Sequence, residues 1–128
     1  MAVRAFPASV GNPESDHFFA AADEDRFMIR RCSACDRPHW YPRAVCPFCF
    51  GATVWEEASG RGVIYSFSVM RRVPAPYAIA YVTLAEGPVM MTNLVDCDFD
   101  ALRIGQPVTL VFKPSKDGGP PVPCFRPE

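Results

Sequence analysis

Apolar segments with the composition of β-strands dominate the second half of the chain. Residues 77–84 and 89–95 are rich in β-branched and aromatic side chains, and a turn-forming sequence at 85–88 separates them. Alternation is clearest at 63–70. One predicted face of this segment carries Val63, Tyr65, Phe67 and Val69, and the other carries Ile64, Ser66, Ser68 and Met70. These patterns predict three consecutive β-strands.

Two further strands and one helical turn are predicted after this region. Residues 108–112 have the composition of a strand, and residues 98–105 have room for one short helical turn. A last strand is predicted at 122–125, where prolines favour the edge of a sheet because they cannot donate a backbone hydrogen bond. Five short strands with a small helical insertion indicate a five-stranded barrel of the OB type.

A helical pattern precedes the strands. The first eleven residues predict a flexible lead, and Asn12-Pro13-Glu14-Ser15 then has the features of a helix start, with Asn12 as the cap. Phe18, Phe19 and Ala22 share one face of the predicted helix, which runs for about three turns and ends at the acidic residues 23–25. Residues 27–29 lead as a strand into the first cysteine pair.

Composition and charge describe a folded protein without a general nucleic-acid surface. The chain has 128 residues, of which 49% are hydrophobic and 21% charged, and its net charge is −1. Nucleic-acid binders usually have a high pI and a basic patch. Residues 1–10 lack the apolar core of a secretory signal, and the longest uncharged run, 73–85, is too short for a membrane span. We therefore expect a cytoplasmic protein with reduced thiols.

Four of the six cysteines have the spacing of a metal site. Cys32, Cys35, Cys46 and Cys49 form two Cys-x2-Cys pairs separated by ten residues. Each pair lets two thiolates in one tight turn face the same metal ion. Two such turns complete a tetrahedral S4 shell, which leaves no open position for catalysis. The spacing predicts a structural zinc ion. Iron in a rubredoxin-like role is the alternative, because S4 sites accept both metals.

The sequence contains no self-contained catalytic set. His17 lies on the predicted helix as a surface or packing residue. His39 lies in the ribbon loop and could substitute as a metal ligand, but four cysteines already complete the shell. Cys97 is flanked by two aspartates, which disfavour its thiolate, and Cys124 is predicted to be a small packing residue. The carboxylates occur in runs that helix ends and solvated turns explain.

The strands carry too few charges for an exposed sheet. Between residues 73 and 95 only Glu86 is charged, and both faces of 77–84 are mainly apolar. Either the ribbon and helix cover the outer face, or a partner protein does. Four basic residues are candidate contacts for coenzyme A phosphates or an acidic partner, with solvated loop positions as the alternative: Arg71, Arg72, Lys113 and Lys116.

These features together resemble a known family. The chain is similar, over roughly residues 13–125, to the acyl-CoA-associated proteins that join a rubredoxin-like zinc ribbon to an OB-fold domain. The segments that carry the resemblance are Arg31-Cys32-Ser33-Ala34-Cys35, Tyr41-Pro42-Arg43-Ala44-Val45-Cys46-Pro47-Phe48-Cys49, 60–66 and Leu102-Arg103-Ile104-Gly105-Gln106-Pro107-Val108. The sequence departs from the common pattern at Asp36 and Phe50, where such ribbons often have glycine.

The resemblance implies an accessory function. Members are usually non-catalytic subunits of thiolase-like enzymes, namely thiolases, acyltransferases and aldolases that act on acyl-CoA thioesters. It implies that the four cysteines bind zinc and that the OB domain docks on a catalytic subunit in a hetero-oligomer. The coenzyme A thioester would then lie at or near the shared interface, and the accessory chain would stabilise the complex and help to shape the acyl-CoA site.

Two other functions compete with this expectation. Zinc ribbons and OB barrels also bind single-stranded nucleic acid, but the acidic balance of the chain counts against a positive groove. Electron transfer by iron in the ribbon predicts a coloured protein. The expected organisation is mainly β, with a lead and helix at 1–27, a zinc ribbon at 28–58 and an OB-fold domain at 59–128.

Overall fold

The computed structural model describes residues 4–7 and 12–128. Its elements are the helix α1 (Asp16–Ala22), a 3₁₀ turn (Phe99–Ala101) and eight strands. The strands are β1 (Met28–Cys32), β2 (Pro38–His39), β3 (Thr53–Glu57), β4 (Arg61–Met70), β5 (Tyr77–Leu84), β6 (Val89–Leu94), β7 (Pro107–Lys113) and β8 (Val122–Pro127). The fold is therefore mainly β with one short N-terminal helix, as the sequence predicts.

A three-stranded antiparallel sheet forms the ribbon. Its order is β2-β1-β3, so that β1 is central. β1 and β3 pair over their full length, from Met28 opposite Glu57 to Cys32 opposite Thr53. Met28 and Ile29 are buried, and their side chains anchor this end of the sheet to the core. The other end of β1 delivers Cys32 to the first cysteine turn.

Five strands close into a barrel in the order β4-β5-β6-β8-β7. This closed five-stranded barrel confirms the predicted OB-type architecture. The 3₁₀ turn lies in the connection from β6 to β7, where the Asp98 carboxylate accepts a hydrogen bond from the Asp100 amide at 2.9 Å. The helical insertion predicted between residues 98 and 105 is confirmed.

A β-bulge in β4 changes the predicted faces of that strand. Ile64 lies opposite Val82, whereas Ser66 lies opposite Tyr81, so the register shifts at the residue between them. An extra residue reverses the inward and outward positions beyond it. Ile64 therefore points into the barrel before the bulge, and Phe67 and Val69 pack against the core after it. The prediction that Val63, Tyr65, Phe67 and Val69 share one face is wrong.

The last strand is not an edge strand, contrary to the sequence-based expectation. β8 lies between β6 and β7, and it pairs with β7 along its length. Its contact with β6 is limited to one register pair, Leu94 with Phe125. Closure of the barrel removes the edge, while the short contact with β6 leaves most of one side of β8 unpaired. A strand paired mainly on one side tolerates Pro123 and Pro127.

The helix is shorter than predicted because a turn occupies its expected start. The Asn12 side chain accepts hydrogen bonds from the amides of Glu14 and Ser15 at 3.0 and 3.1 Å, and the helix begins only at Asp16. Seven residues make about two turns. The helix ends at the acidic residues as predicted, with Asp23 as its cap. Phe18 and Phe19 are buried, as the predicted face requires.

One hydrophobic core joins helix, ribbon and barrel. Phe18 of the helix, Ile29 of the ribbon and Ile64 of the barrel belong to the same buried cluster. The predicted flexible lead falls mainly on residues outside the described ranges. Its described part lies on the barrel, since the Arg4 guanidinium stacks on the Tyr77 ring at 3.8 Å. No helix in the described ranges is long and apolar enough to cross a membrane.

Candidate metal centre and interaction surface

Two equivalent turns bring the four predicted ligand thiols together. The first follows β1 and contains Cys32 and Cys35, and the second contains Cys46 and Cys49. The Sγ atoms of all four cysteines lie within 4.8 Å of one another. An isolated antiparallel β-bridge pairs Val45 with Ala52, the residues on either side of the second turn. The sequence-predicted site is therefore assembled as a single cluster, and His39 is not part of it.

The distances between the sulfur atoms fit tetrahedral coordination of one metal ion. The Cys32 and Cys49 sulfurs are 3.5 Å apart, and the Cys35 and Cys46 sulfurs are 3.7 Å apart. Zinc–sulfur bonds of about 2.3 Å in a tetrahedron place neighbouring sulfurs about 3.8 Å apart. All six cysteines are free of disulfides. The donor set and its dimensions therefore suit zinc or iron in an S4 shell.

The thiols strongly influence one another's ionisation. Amide hydrogen bonds, first that of Cys35 and then that of Ala34, lower the pKa of Cys32 to about 6. For Cys35, an amide contact from Arg37 also lowers the pKa, but burial and the three neighbouring thiols outweigh it and raise the pKa to about 11. Four thiolates at these distances repel one another unless a cation lies between them. The arrangement is electrostatically suited to a divalent metal.

Both turns contain a non-glycine residue in the left-handed region. Asp36 has φ 64° and Phe50 has φ 66°. Each follows its second cysteine, and its amide donates to the carbonyl of the first cysteine, at 3.1 Å from Asp36 to Cys32 and 2.9 Å from Phe50 to Cys46. These are the two positions at which the sequence departs from the glycine of similar ribbons. Left-handed backbone is costly for residues other than glycine, and less so for aspartate than for phenylalanine.

The two histidines have packing positions. His39 is buried between strands, at 4% exposure, and pairs with Arg30 across the β1–β2 ladder. His17 is exposed on the helix, and its ring lies 4.8 Å from that of Trp55. Trp55 also lies opposite Arg30, whose guanidinium stands 4.5 Å from its ring. The expectation that His17 is a surface or packing residue agrees with this placement.

The remaining thiols lie in environments that disfavour the reactive thiolate. Burial, and secondarily the charges of Asp96 and Asp98, raise the pKa of Cys97. Burial raises the pKa of Cys124 to about 12, and this side chain is fully enclosed in the barrel core. The aspartate contribution to the raised pKa of Cys97 is predictable from the sequence. The larger contribution of burial is not, because the burial of a single residue cannot be read from the local sequence.

An apolar face is exposed on the outside of the barrel. Its members lie on β4, β5 and β6 and are 39–64% exposed: Val63, Tyr65, Ile79, Tyr81, Val89 and Met91. Tyr81 and Met91 face each other across the β5–β6 ladder. A shallow depression of about 150 Å³ lies between them and residues 66–68 of β4. We call these six residues the barrel face. Neither the ribbon nor the helix buries them.

The candidate basic contacts are partly engaged within the chain. Arg71 forms an ion pair with Asp100 at 2.7 Å, and Lys113 forms one with Asp96 at 2.7 Å. Arg72 and Lys116 are exposed and have no ion pair among the described residues. The four residues therefore offer less free positive charge than the sequence suggests. Their role toward coenzyme A or a partner stays a prediction.

Family models cover most of the chain in the order of its domains. Residues 19–56 match the model of the ChsH2 rubredoxin-like zinc ribbon domain, which includes all four cluster cysteines. Residues 55–113 match the model of the ChsH2 C-terminal OB-fold domain. The order of the two matches is the order of ribbon and barrel in the structure.

Curated relatives and solved structures agree with this assignment. A probable enoyl-CoA hydratase alpha subunit from Thermomonospora curvata is 38% identical, matching 94% of this chain but only 40% of the relative's length. A DUF35 domain-containing scaffold protein from Methanocaldococcus jannaschii is 36% identical over 70% of this chain and 69% of its own.

Among solved structures, a chain of the Ltp2-ChsH2(DUF35) aldolase superposes with a TM-score of 0.81 at 35% identity, covering 94% of this chain and 98% of that one. A DUF35 protein of unknown function from Sulfolobus solfataricus superposes with a TM-score of 0.68 at 14% identity, which supports the fold alone. With both ChsH2 domains matched in order and DUF35 relatives matched over two thirds of their length, the chain belongs to the DUF35 family of proteins that join a ChsH2-type zinc ribbon to an OB-fold domain.

Proposed function

We propose that this chain is a non-catalytic accessory subunit of a thiolase-like enzyme that acts on acyl-CoA thioesters. The observation that carries the proposal is the similarity to a chain of the Ltp2-ChsH2(DUF35) aldolase over nearly its whole length. The Methanocaldococcus jannaschii relative is named as a scaffold protein, which points the same way. The chain stabilises the complex and contributes to the walls of the acyl-CoA site, while the partner supplies the reacting groups.

The barrel face is the surface that we assign to the partner. Tyr81 and Met91 are 48% and 60% exposed and lie opposite each other. Aromatic residues and methionine are enriched at protein interfaces, where burial of apolar area supplies the binding energy. The neighbouring depression of about 150 Å³ is large enough to take one apolar side chain of a partner. The proposed interface is therefore centred on β5 and β6.

The metal has a structural role in this proposal. We assign zinc to the four cysteines, because the sulfur distances fit its bond length and all four tetrahedral positions are filled by protein. When bound, zinc supplies the cross-link that fixes the two turns relative to each other. The cysteines hold the ion, and the amides of Ala34 and Phe48 donate to the sulfurs of Cys32 and Cys46.

The proposal is tested by affinity purification of the tagged chain from its native source, with bound proteins identified by mass spectrometry. We expect stoichiometric recovery of a thiolase-like subunit and no thiolase or aldolase turnover by the chain alone. The Tyr81→Thr, Met91→Thr double variant should lose most of that recovery, because it removes apolar contact area but keeps residues that favour strands.

Ile104→Thr is the matched control, since Ile104 is 70% exposed but lies outside the barrel face. It should recover as much catalytic subunit as the parent. Enrichment of nucleic-acid machinery in place of a thiolase-like subunit, or turnover by the isolated chain, would contradict the proposal. Equal recovery by the double variant would contradict the assigned surface.

A further inference from the structure

The tip of the ribbon presents a second exposed apolar surface. Val45 and Phe48 are each 53% exposed and Phe50 is 81% exposed, all of them in or beside the second cysteine turn. The guanidinium of Arg37, from the first turn, stands 4.9 Å from the Phe48 ring and so links the two turns. Together with Arg43, which is also exposed, we call these five residues the knuckle surface.

Phe50 holds its exposed position at a conformational cost. Its φ of 66° is the left-handed region, which strains a residue with a large side chain. Glycine at the same position would satisfy the turn without strain. The backbone needs only an amide here, which donates to the Cys46 carbonyl at 2.9 Å, and the ring contributes almost nothing to the core. Neither the turn nor the core therefore explains a phenylalanine at residue 50.

The charges around the knuckle surface select the chemistry of its occupant. Arg31 is neutralised by Glu56 at 2.7 Å and by Asp36 at 3.8 Å. Arg37 and Arg43, in contrast, form no ion pair with any residue in the described ranges. The surface thus combines exposed aromatic rings with two unneutralised guanidinium groups, a combination enriched at protein interface hot spots.

We propose that the knuckle surface is a second contact with the catalytic subunit, and that it is seated in an apolar depression bordered by carboxylates. This inference rests on the proposed function, and it adds a site and a partner chemistry. A protein occupant is favoured over nucleic acid because the surface is mainly apolar and has only two free cations, whereas nucleic-acid interfaces are far more positive. Phe50 and Phe48 enter the depression, and Arg37 and Arg43 pair with its acidic border.

The test measures affinity and stability in the same variants, because the proposal predicts that they change in different directions. The probe is the catalytic subunit recovered with the tagged chain, produced separately and titrated with the zinc-loaded parent by calorimetry. Phe50→Gly should bind it about tenfold or more weakly. Its melting temperature should be equal to or above that of the parent, because the strained backbone is relieved.

Two control variants are matched to the two test variants. One separates loss of the Phe50 ring from the backbone change in a turn, and the other separates loss of the Arg37 charge from a general change in net charge. Asp36→Gly makes the same backbone change in the first turn and should retain the parent affinity. Arg37→Glu should weaken binding by about tenfold or more. Arg103→Glu removes an exposed arginine outside the ribbon and should not weaken it.

Each outcome has a distinct meaning. Parental affinity in both Phe50→Gly and Arg37→Glu overturns the inference and leaves the proposed function intact. Phe48-dependent binding of a single-stranded oligonucleotide at micromolar concentration overturns it in favour of nucleic acid. A parent chain that binds no catalytic subunit overturns the proposed function itself, and this result is read before any variant is compared.

Discussion

His39 is a buried imidazole without a hydrogen-bond partner among the described residues. Its side chain is 4% exposed, and neither Nδ1 nor Nε2 has a partner within bonding distance and angle. Burial is the main cause that lowers the pKa of His39. The nearby backbone of Arg43 partly opposes the shift, and the charges of Arg30 and Arg43 add to it. Among the described residues no acidic group opposes this shift, so the lowered pKa favours the neutral form of His39 near neutral pH.

The expected consequence is a loss of stability on acidification. Because the folded pKa lies below that of the unfolded chain, the unfolded state gains the proton first as pH falls through about 6.5. The stability that the neutral His39 contributes is therefore complete above that pH, and it is lost progressively as the pH falls below it. His39→Leu should therefore lose less unfolding free energy between about pH 7.5 and about pH 5.5 than the parent. Urea unfolding of both zinc-loaded proteins measures the difference, and parallel losses would contradict the assignment.

At the scale of elements, the Phe18 side chain connects the helix to both the ribbon and the barrel. It is 1% exposed, and its ring makes edge contacts with Trp40 of the ribbon at 5.1 Å and Phe112 of the barrel at 6.4 Å. Phe18→Ala should cost about 3–5 kcal/mol of unfolding free energy, as large cavities in cores do. Phe48→Ala is the control, since this ring is half exposed and its loss should cost far less. Similar losses in the two variants would show that Phe18 does not connect the elements.

The elements differ in how far local sequence determines them. The cysteine turns were predictable because ligand spacing within each turn is local. The bounds of β5 were predictable because Pro74 and Pro76 precede it and the turn-forming residues 85–88 follow it. The bulge in β4 was not, since both faces of that strand carry apolar residues and the pattern permits either register. The prolines of β8 indicated an edge, but closure of the barrel depends on pairings with β6 and β7 that local sequence does not contain.

At the scale of the whole molecule, ribbon and barrel share one core. Phe27 of the ribbon segment meets Phe125 of the barrel, with ring centroids 6.5 Å apart, and its carbonyl accepts a hydrogen bond from the Ala58 amide. The carboxylate of Glu86, in the β5–β6 turn, accepts from the Ser59 amide at 2.8 Å and so ties the linker to the barrel. The two exposed apolar surfaces therefore lie on parts of the chain that pack against one shared core.

A shared core predicts that loss of the metal weakens the whole molecule and not the ribbon alone. Cys46 is fully buried, and Cys46→Ser removes one of the four cysteines that we propose as zinc ligands. Structural zinc contributes on the order of 10 kcal/mol in small peptides, so the melting temperature should fall by more than about 10 °C. Both tryptophans, Trp40 and Trp55, lie in the ribbon segment, so their fluorescence reports on it, while far-UV circular dichroism also reports on the barrel.

We expect the two signals to change together in the parent and in Cys46→Ser, at the lower temperature in the variant, because one cooperative unit unfolds. Cys97→Ser should retain one zinc per chain and a melting temperature within about 3 °C of the parent, since Cys97 lies outside the cluster. Fluorescence that shifts in Cys46→Ser while the dichroism transition stays in place would mean that the barrel folds independently. The metal would then stabilise only the ribbon, and the two surfaces would be free to move relative to each other.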